Sequence, residues 1–240
     1  MVEGNLSYWK KGIRDGIPIS LGYLAVSFTF GIAAKEAGIS VMQAIIMSAT
    51  NLTSAGQFAS LGLINASAGY LEMAVTQLII NLRYSLMSCV LSQKLSRETS
   101  FIHRFLIAIG VTDEIFGVSA HIDGKLNPYY TYGLISVALP GWTLGTFLGI
   151  LSGNLLPERI LSALSVALYG MFIAVIIPPA RHNRIIAGII IVSMFFSLMF
   201  TKLPILMLIS PGFRIIILTV VIAGLAAILF PVKEGDMNET

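Results

Sequence analysis

Three short clusters of polar residues lie inside otherwise apolar stretches, and these are the places where chemistry is possible. They are Asn51-Leu-Thr53-Ser54-Ala-Gly56-Gln57-Phe58, Asn81-Leu-Arg83-Tyr84 and Thr112-Asp113-Glu114-Ile-Phe116. In the first cluster, glycine and small hydroxyl residues weaken a helix and permit close backbone approach. A broken helix exposes N–H and C=O groups at its two half-ends. In lipid those groups need partners, so such a break lines a cavity or binds a ligand. Half-helix N-termini suit a carboxylate; the bland alternative is a tight helix crossing. In the third cluster, burial and a nearby arginine act on Asp113 and Glu114 in opposite directions, which suits a proton carrier. The alternative is an acidic pair at the membrane edge facing water. Arg83 is a candidate functional residue, or alternatively half of a structural ion pair with Asp113 or Glu114. An unpaired charge at the bilayer centre costs about 2.5–3.5 kcal/mol on insertion scales.

The elements that must carry these clusters are transmembrane helices. Of 240 residues, 56% are hydrophobic and 11% charged, with a mean hydropathy of +0.85; a soluble domain has about 25% charged residues. A spanning helix needs roughly 20 mostly apolar residues. Eight segments qualify, near 13–34, 41–64, 70–93, 105–120, 130–152, 160–178, 185–201 and 213–230. The expected fold is an all-α polytopic bundle of about seven or eight apolar segments. It comprises a cytoplasmic N-terminal segment 1–12, one transport domain 13–230 and a polar tail 231–240. Segments two and four contain the first and third polar clusters and are expected to be broken or re-entrant.

Loop charge supports that expectation. If all eight segments cross, basic residues divide seven to seven; if segments two and four return to the side they left, ten lie inside and four outside, as the positive-inside tendency prefers. A seven-crossing chain with only segment two re-entrant gives nine to five. The re-entrant model puts both termini in the cytoplasm. Tyr8, Trp9, Tyr129, Tyr130 and Tyr132 fall at segment ends, where aromatic rings suit the interface.

At about 100° per residue, segment three carries Glu72, Thr76 and Arg83 on one side and Gln77, Asn81, Tyr84 and Ser88 on the other. A helix polar on two faces is expected at the bundle centre; alternatively, Gln77 and Asn81 simply bond neighbouring helices. Gly141, Gly145, Gly149 and Gly153 give segment five one smooth packing face, for another segment or another subunit. Gly16-Ile-Pro18 with Gly22 and Gly31, set beside Pro140-Gly141 with Gly145 and Gly149, hints at an internal repeat of segments one and five.

The net charge of +3 is small and dispersed, which gives no footprint for nucleic acid. Cys89 is the single cysteine, and His103, His121 and His182 lie in separate loops, so neither a disulfide nor a metal cluster is expected. No enzyme signature is present, and no cofactor is expected.

Taken in order, Ser54-Ala-Gly-Gln-Phe-Ala-Ser-Leu-Gly-Leu63, Asn81-Leu-Arg-Tyr84 and Thr112-Asp-Glu-Ile-Phe116 resemble the AzlC family of branched-chain amino-acid permeases. The resemblance runs from about Gly12 to Arg184. Tyr84 departs from it, since many members have histidine there. The resemblance implies export of valine, leucine, isoleucine or methionine across the bacterial inner membrane, with a small AzlD-type membrane subunit as partner. On this reading the candidate substrate-binding residues are Asn51, Ser54, Gly56, Gln57, Phe58, Asn81 and Arg83. Asp113 and Glu114 are the candidates for proton coupling or ammonium binding. With no nucleotide motif, the energy source is expected to be an ion gradient. The competing reading is a passive channel, or a transporter of another small polar solute.

Overall fold

The structure is a computed structural model that describes residues 4–152, 183–203 and 208–230, with 173, 177, 180, 181 and 206 between them. The described residues form nine helices and no strand: α1 Asn5–Glu36, α2 Val41–Thr50, α3 Ala55–Asn65, α4 Tyr70–Lys94, α5 Phe101–Ile109, α6 Asp113–Ala120, α7 Pro128–Ser152, α8 Arg184–Lys202 and α9 Pro211–Leu229. Five of them, α1, α4, α7, α8 and α9, are long and apolar enough to cross a membrane. Expected segments two and four each appear as two short helices around a break. Expected segment six, apart from residues 173 and 177, lies outside the described residues, as do Gly153 and the tail 231–240. The chain divides into two compact units, Met1–Leu61 with Ile80–Leu168, and Gly62–Ile79 with Tyr169–Thr240.

The first unit is built on α1 and α7. A side-chain carbon added at Gly12 would overlap the carbonyl oxygen of Tyr130, one at Gly145 that of Leu24, and one at Gly149 that of Phe28. The glycine face of α7 is therefore filled by α1 of the same chain, backbone against backbone. Contact positions rise together along both helices, from Gly12 against Tyr130, through Ser20 against Gly141, to Phe28 against Gly149. The two helices are parallel, with Pro18 and Pro140 at matching heights.

Parallel packing constrains the topology. Between α1 and α7 the chain must return to its starting side, so an odd number of the three intervening segments cross. The contacts show that α4 crosses alone. At its end, Lys94 Nζ donates to the carbonyls of Ala120 and Ile122 (2.6 Å to the latter), just past α6. Arg104, at the start of α5, donates to the carbonyls of Ser92 (3.0 Å) and Ser96 (2.8 Å). Both ends of segment four thus sit at the C-terminal end of α4, and α5–α6 is a re-entrant hairpin. The model in which segment two alone re-enters is excluded.

Segment two is re-entrant from the opposite end. Ala44 of α2 and Leu61 of α3 share one buried cluster with Phe30, Ala34 and Ile150, near the C-terminal ends of α1 and α7. Leu52, between α2 and α3, packs instead on the cluster of Tyr23, Ala138 and Trp142, deeper in the bundle. An architectural repetition is visible within the first six helices. A helix followed by a hairpin, α1 with α2–α3, recurs as α4 with α5–α6 in the opposite sense, an arrangement common to many transporters.

Local sequence explains each break. Ser40 opens α2 with a capping box: its hydroxyl accepts from Gln43 N while Gln43 Oε1 accepts from Ser40 N (3.0 Å). Asn51 Oδ1 accepts from Thr53 N at 3.1 Å, an Asx turn that competes with helix continuation. Ser54 then adopts φ +42°, a left-handed conformation unusual for a residue with a side chain. In segment four Gly110 ends α5, and Thr112 caps α6 by accepting from Ile115 N at 3.3 Å.

α4 is shared between the units, Tyr70–Ile79 in the second and Ile80–Lys94 in the first. Only Thr76 and Leu91 of α4 are buried, and its Leu78 and Leu86 are 64% and 71% exposed. Its polar residues are engaged at particular points. Within the second unit, Glu72 accepts from Ser210 Oγ and from Gly212 N (3.1 Å), placing a carboxylate at the N-terminus of α9.

Candidate functional site

The two hairpins bring their tips toward the middle of the first unit from opposite ends. Each tip presents the first turn of its returning helix: α3 begins at Ala55 and α6 at Asp113. Two aromatic residues that sequence reasoning did not single out connect the tips. Trp142 of α7 donates from Nε1 to Gln57 Oε1 at 2.8 Å, and Gln57 Nε2 donates to Ser48 Oγ at 3.3 Å. Ser48 in turn bonds Thr146 at 2.7 Å. Tyr23 of α1 packs edge-on against Trp142, with ring centroids 5.4 Å apart. The Tyr23 hydroxyl lies 2.5 Å from Thr112 Oγ1 and 2.6 Å from Glu114 Oε2.

The acidic pair is split by its surroundings. Asp113 Oδ2 lies 2.7 Å from Arg83 Nη1, with the two side chains 34% and 38% exposed. Arg83 Nη2 donates to the Tyr84 hydroxyl at 3.2 Å, and the guanidinium sits 5.0 Å from the centre of that ring. Tyr84 thus braces Arg83. Arg83 Nε is buried without a hydrogen-bond partner. Glu114 is exposed and bonded by the Tyr23 hydroxyl instead of a cation.

At the first tip, Asn51 serves the turn, and the Thr53 and Ser54 hydroxyls are buried without partners. Gln57 is fully buried with both ends of its amide engaged, so it acts as a strut that fixes the tip. Phe58 packs edge-on against Phe30 at 5.3 Å. Gly56 N donates to the Thr53 carbonyl at 3.1 Å, within the turn that starts α3. Asn81 lies on α4 two residues before Arg83. The structure therefore joins Arg83 to Asp113, and Glu114 to Tyr23, and it ties Gln57 into a network with Trp142. A signal for Thr112 was present in the sequence: a threonine directly before two acids reads as an N-cap with a charged first turn.

The model of the family described as AzlC protein matches residues 18–156, which takes in both hairpins, Arg83 and the α1–α7 pair from Pro18 onward. The chain belongs to the AzlC family. Among relatives of this AzlC chain, an "Uncharacterized membrane protein" of Archaeoglobus fulgidus is 31% identical over 183 residues, covering 75% of this chain and 80% of the relative. The "Inner membrane protein YgaZ" of Escherichia coli is 24% identical over 148 residues, 60% of each chain. An "Uncharacterized membrane protein" of Helicobacter pylori strain J99 is 28% identical over 152 residues, 60% of this chain and 65% of the relative. No solved structure matches. The protein is thus a membrane protein of a transport-type family, and its candidate site is the meeting point of the two hairpins.

Proposed function

We propose that this chain is a secondary transporter that exports branched-chain or other apolar amino acids, driven by the proton gradient. The observation that carries the reading is the accessible Arg83–Asp113 pair at the tip of the second hairpin, 2.7 Å between charged atoms. An amino acid at neutral pH is a zwitterion. Inserted into this pair, it replaces one ion pair by two, its carboxylate on Arg83 and its ammonium on Asp113. The first turn of α3, which begins at Ala55, adds the partial positive charge of a helix N-terminus for the carboxylate. Apolar side chains at the tips, Leu52 and Val111 among them, suit an aliphatic substrate.

Moving one charge through 100 mV supplies about 2.3 kcal/mol, enough for a substrate gradient of over tenfold. Orientation follows from charge. Besides Arg83, the described cations of the first unit are Lys10, Lys11, Arg14, Lys94, Arg97, Arg104 and Lys125 at the end where α1 starts, and Lys35 at the other. Seven against one supports a cytoplasmic N-terminus in the inner membrane. The AzlD-type subunit implied by the resemblance belongs to the same proposal. Because α1 fills the glycine face of α7, that subunit would dock elsewhere, and co-purification of a small hydrophobic protein of about four spans tests it.

The direct test is counterflow in proteoliposomes with a panel of amino acids, with and without a pH gradient. Saturable exchange of labelled leucine, competed by valine and isoleucine, is expected. Linear, non-competed flux would favour a channel.

A further inference from the structure

The two adjacent carboxylates of the second hairpin have different partners, and the difference divides their labour. We propose that Glu114 carries the coupling proton, and that Tyr23 relays its protonation state to Thr112, the N-cap of α6. The assignment rests on the transport reading above and names which group of that site is coupled to the gradient.

Asp113 is committed to Arg83 at 2.7 Å. Glu114 meets only hydroxyl chemistry from α1, the Tyr23 oxygen at 2.6 Å. The other titratable groups facing it are Tyr84 of α4 and the neighbouring Asp113, with the nearby cation, Arg83, held by Asp113. A hydroxyl suits both forms of a carboxyl group, since it donates to the ionised form and accepts from the protonated one. Tyr23 has one hydrogen and two oxygen partners, at 2.5 and 2.6 Å, so it can donate to one at a time. When Glu114 is ionised, Thr112 donates to Tyr23 and Tyr23 donates to Glu114. When Glu114 binds a proton, Glu114 donates to Tyr23 and Tyr23 donates to Thr112. The direction of the whole chain reverses with one proton. In the second state Thr112 Oγ1 accepts from Tyr23 and from Ile115 N, and its own hydrogen is freed to another acceptor. The proton is thereby felt at the residue that starts α6, beside the Arg83–Asp113 pair. Proton balance is simple: Glu114, which is exposed, takes one proton from the far side and releases one to the cytoplasmic side for each zwitterion exported.

The tryptophans supply a readout that needs no substrate. The chain has two, Trp9 and Trp142, and Trp142 lies edge-on to Tyr23. In a Trp9→Phe background, Trp142 emission should titrate with pH. The titration should vanish on adding Glu114→Gln or Tyr23→Phe and persist on adding Asp113→Asn. Persistence with Glu114→Gln, or loss only with Asp113→Asn, overturns the proposal, as does the absence of any titration.

In proteoliposomes, Glu114→Gln and Tyr23→Phe should keep leucine exchange within about threefold while gradient-driven accumulation falls about tenfold or more. Unchanged accumulation overturns the proposal, and so does loss of exchange in a variant that keeps its melting temperature. Should the wild-type protein exchange no amino acid at all, the transport reading fails, and the fluorescence titration still decides the role of Glu114.

Discussion

Arg83 Nη1 and Asp113 Oδ2 lie 2.7 Å apart and join the crossing helix α4 to the first residue of α6. Because both side chains are more than a third exposed, the pair is worth less than a fully buried one. Arg83→Gln or Asp113→Asn alone should lower stability by about 1–2 kcal/mol, between surface and buried pairs. The double variant should recover part of that loss, with a coupling of about 0.5–3 kcal/mol, and still fail to transport. Melting temperature in detergent and leucine efflux, measured separately, check this. Strictly additive melting losses would show that the pair contributes nothing to the fold.

Gln57 makes a second kind of prediction. Its amide is fully buried between Trp142 and Ser48. Gln57→Leu keeps much of the volume and leaves the Trp142 N–H without its acceptor. A loss of about 1–3 kcal/mol is expected, the cost of an orphaned buried donor. Gln57→Glu should hurt less if the new carboxyl can still accept from Trp142. Thermal unfolding of both variants decides, and equal stability of Gln57→Leu and wild type would contradict the strut role.

The breaks were legible in sequence because they depend on local chemistry, and Arg83 was legible as half of an ion pair whose partner, Asp113 or Glu114, only tertiary contact decides. Asn51, Thr53 and Ser54 form turns by bonding their own backbone, and Thr112 before two acids is a helix start. Tyr23 and Trp142 were not legible. An aromatic residue inside an apolar run has the same signature whether it faces lipid, packs in a core or bridges two hairpins, and only tertiary contact separates these. Polar residues on two faces of α4 were legible, and their separate partners were not: Glu72 meets the start of α9, and Arg83 meets Asp113. The glycine face of segment five was legible as a contact, and its occupant, α1, was not.

That contact is sharply testable, because two glycines of the first unit differ completely in their surroundings. A side-chain carbon at Gly145 would overlap the Leu24 carbonyl and the Ser27 hydroxyl, and the backbone of α1 cannot move aside cheaply. Gly145→Leu should cost at least about 3 kcal/mol and reduce the yield of folded protein. Gly22, on α1 itself, has nothing within 4 Å of the same position. Gly22→Ala should be neutral or add up to about 1 kcal/mol through helix propensity. Comparable damage from both would mean that α1 and α7 are not packed as described.

Topology gives the last prediction. Arg104 and Lys94 tie both ends of the α5–α6 hairpin to the end of α4, so residues flanking the hairpin must face the same side of the membrane. Glu98 and Asp123 are exposed and flank it; Glu36 is exposed at the opposite end, after α1. With Cys89→Ser as background, single cysteines at Glu98, Asp123 and Glu36 can be labelled with a membrane-impermeant maleimide. In intact cells Glu36→Cys should react and the other two should not, consistent with a cytoplasmic N-terminus. In inside-out vesicles the pattern should reverse, with Glu98→Cys and Asp123→Cys again behaving alike. Opposite behaviour of Glu98→Cys and Asp123→Cys would mean that segment four crosses the membrane. Parallel packing of α1 and α7 would then require segment two to cross as well. Both tips would lose their shared depth, and with it the meeting of Tyr23, Trp142 and the Arg83–Asp113 pair on which the transport reading stands.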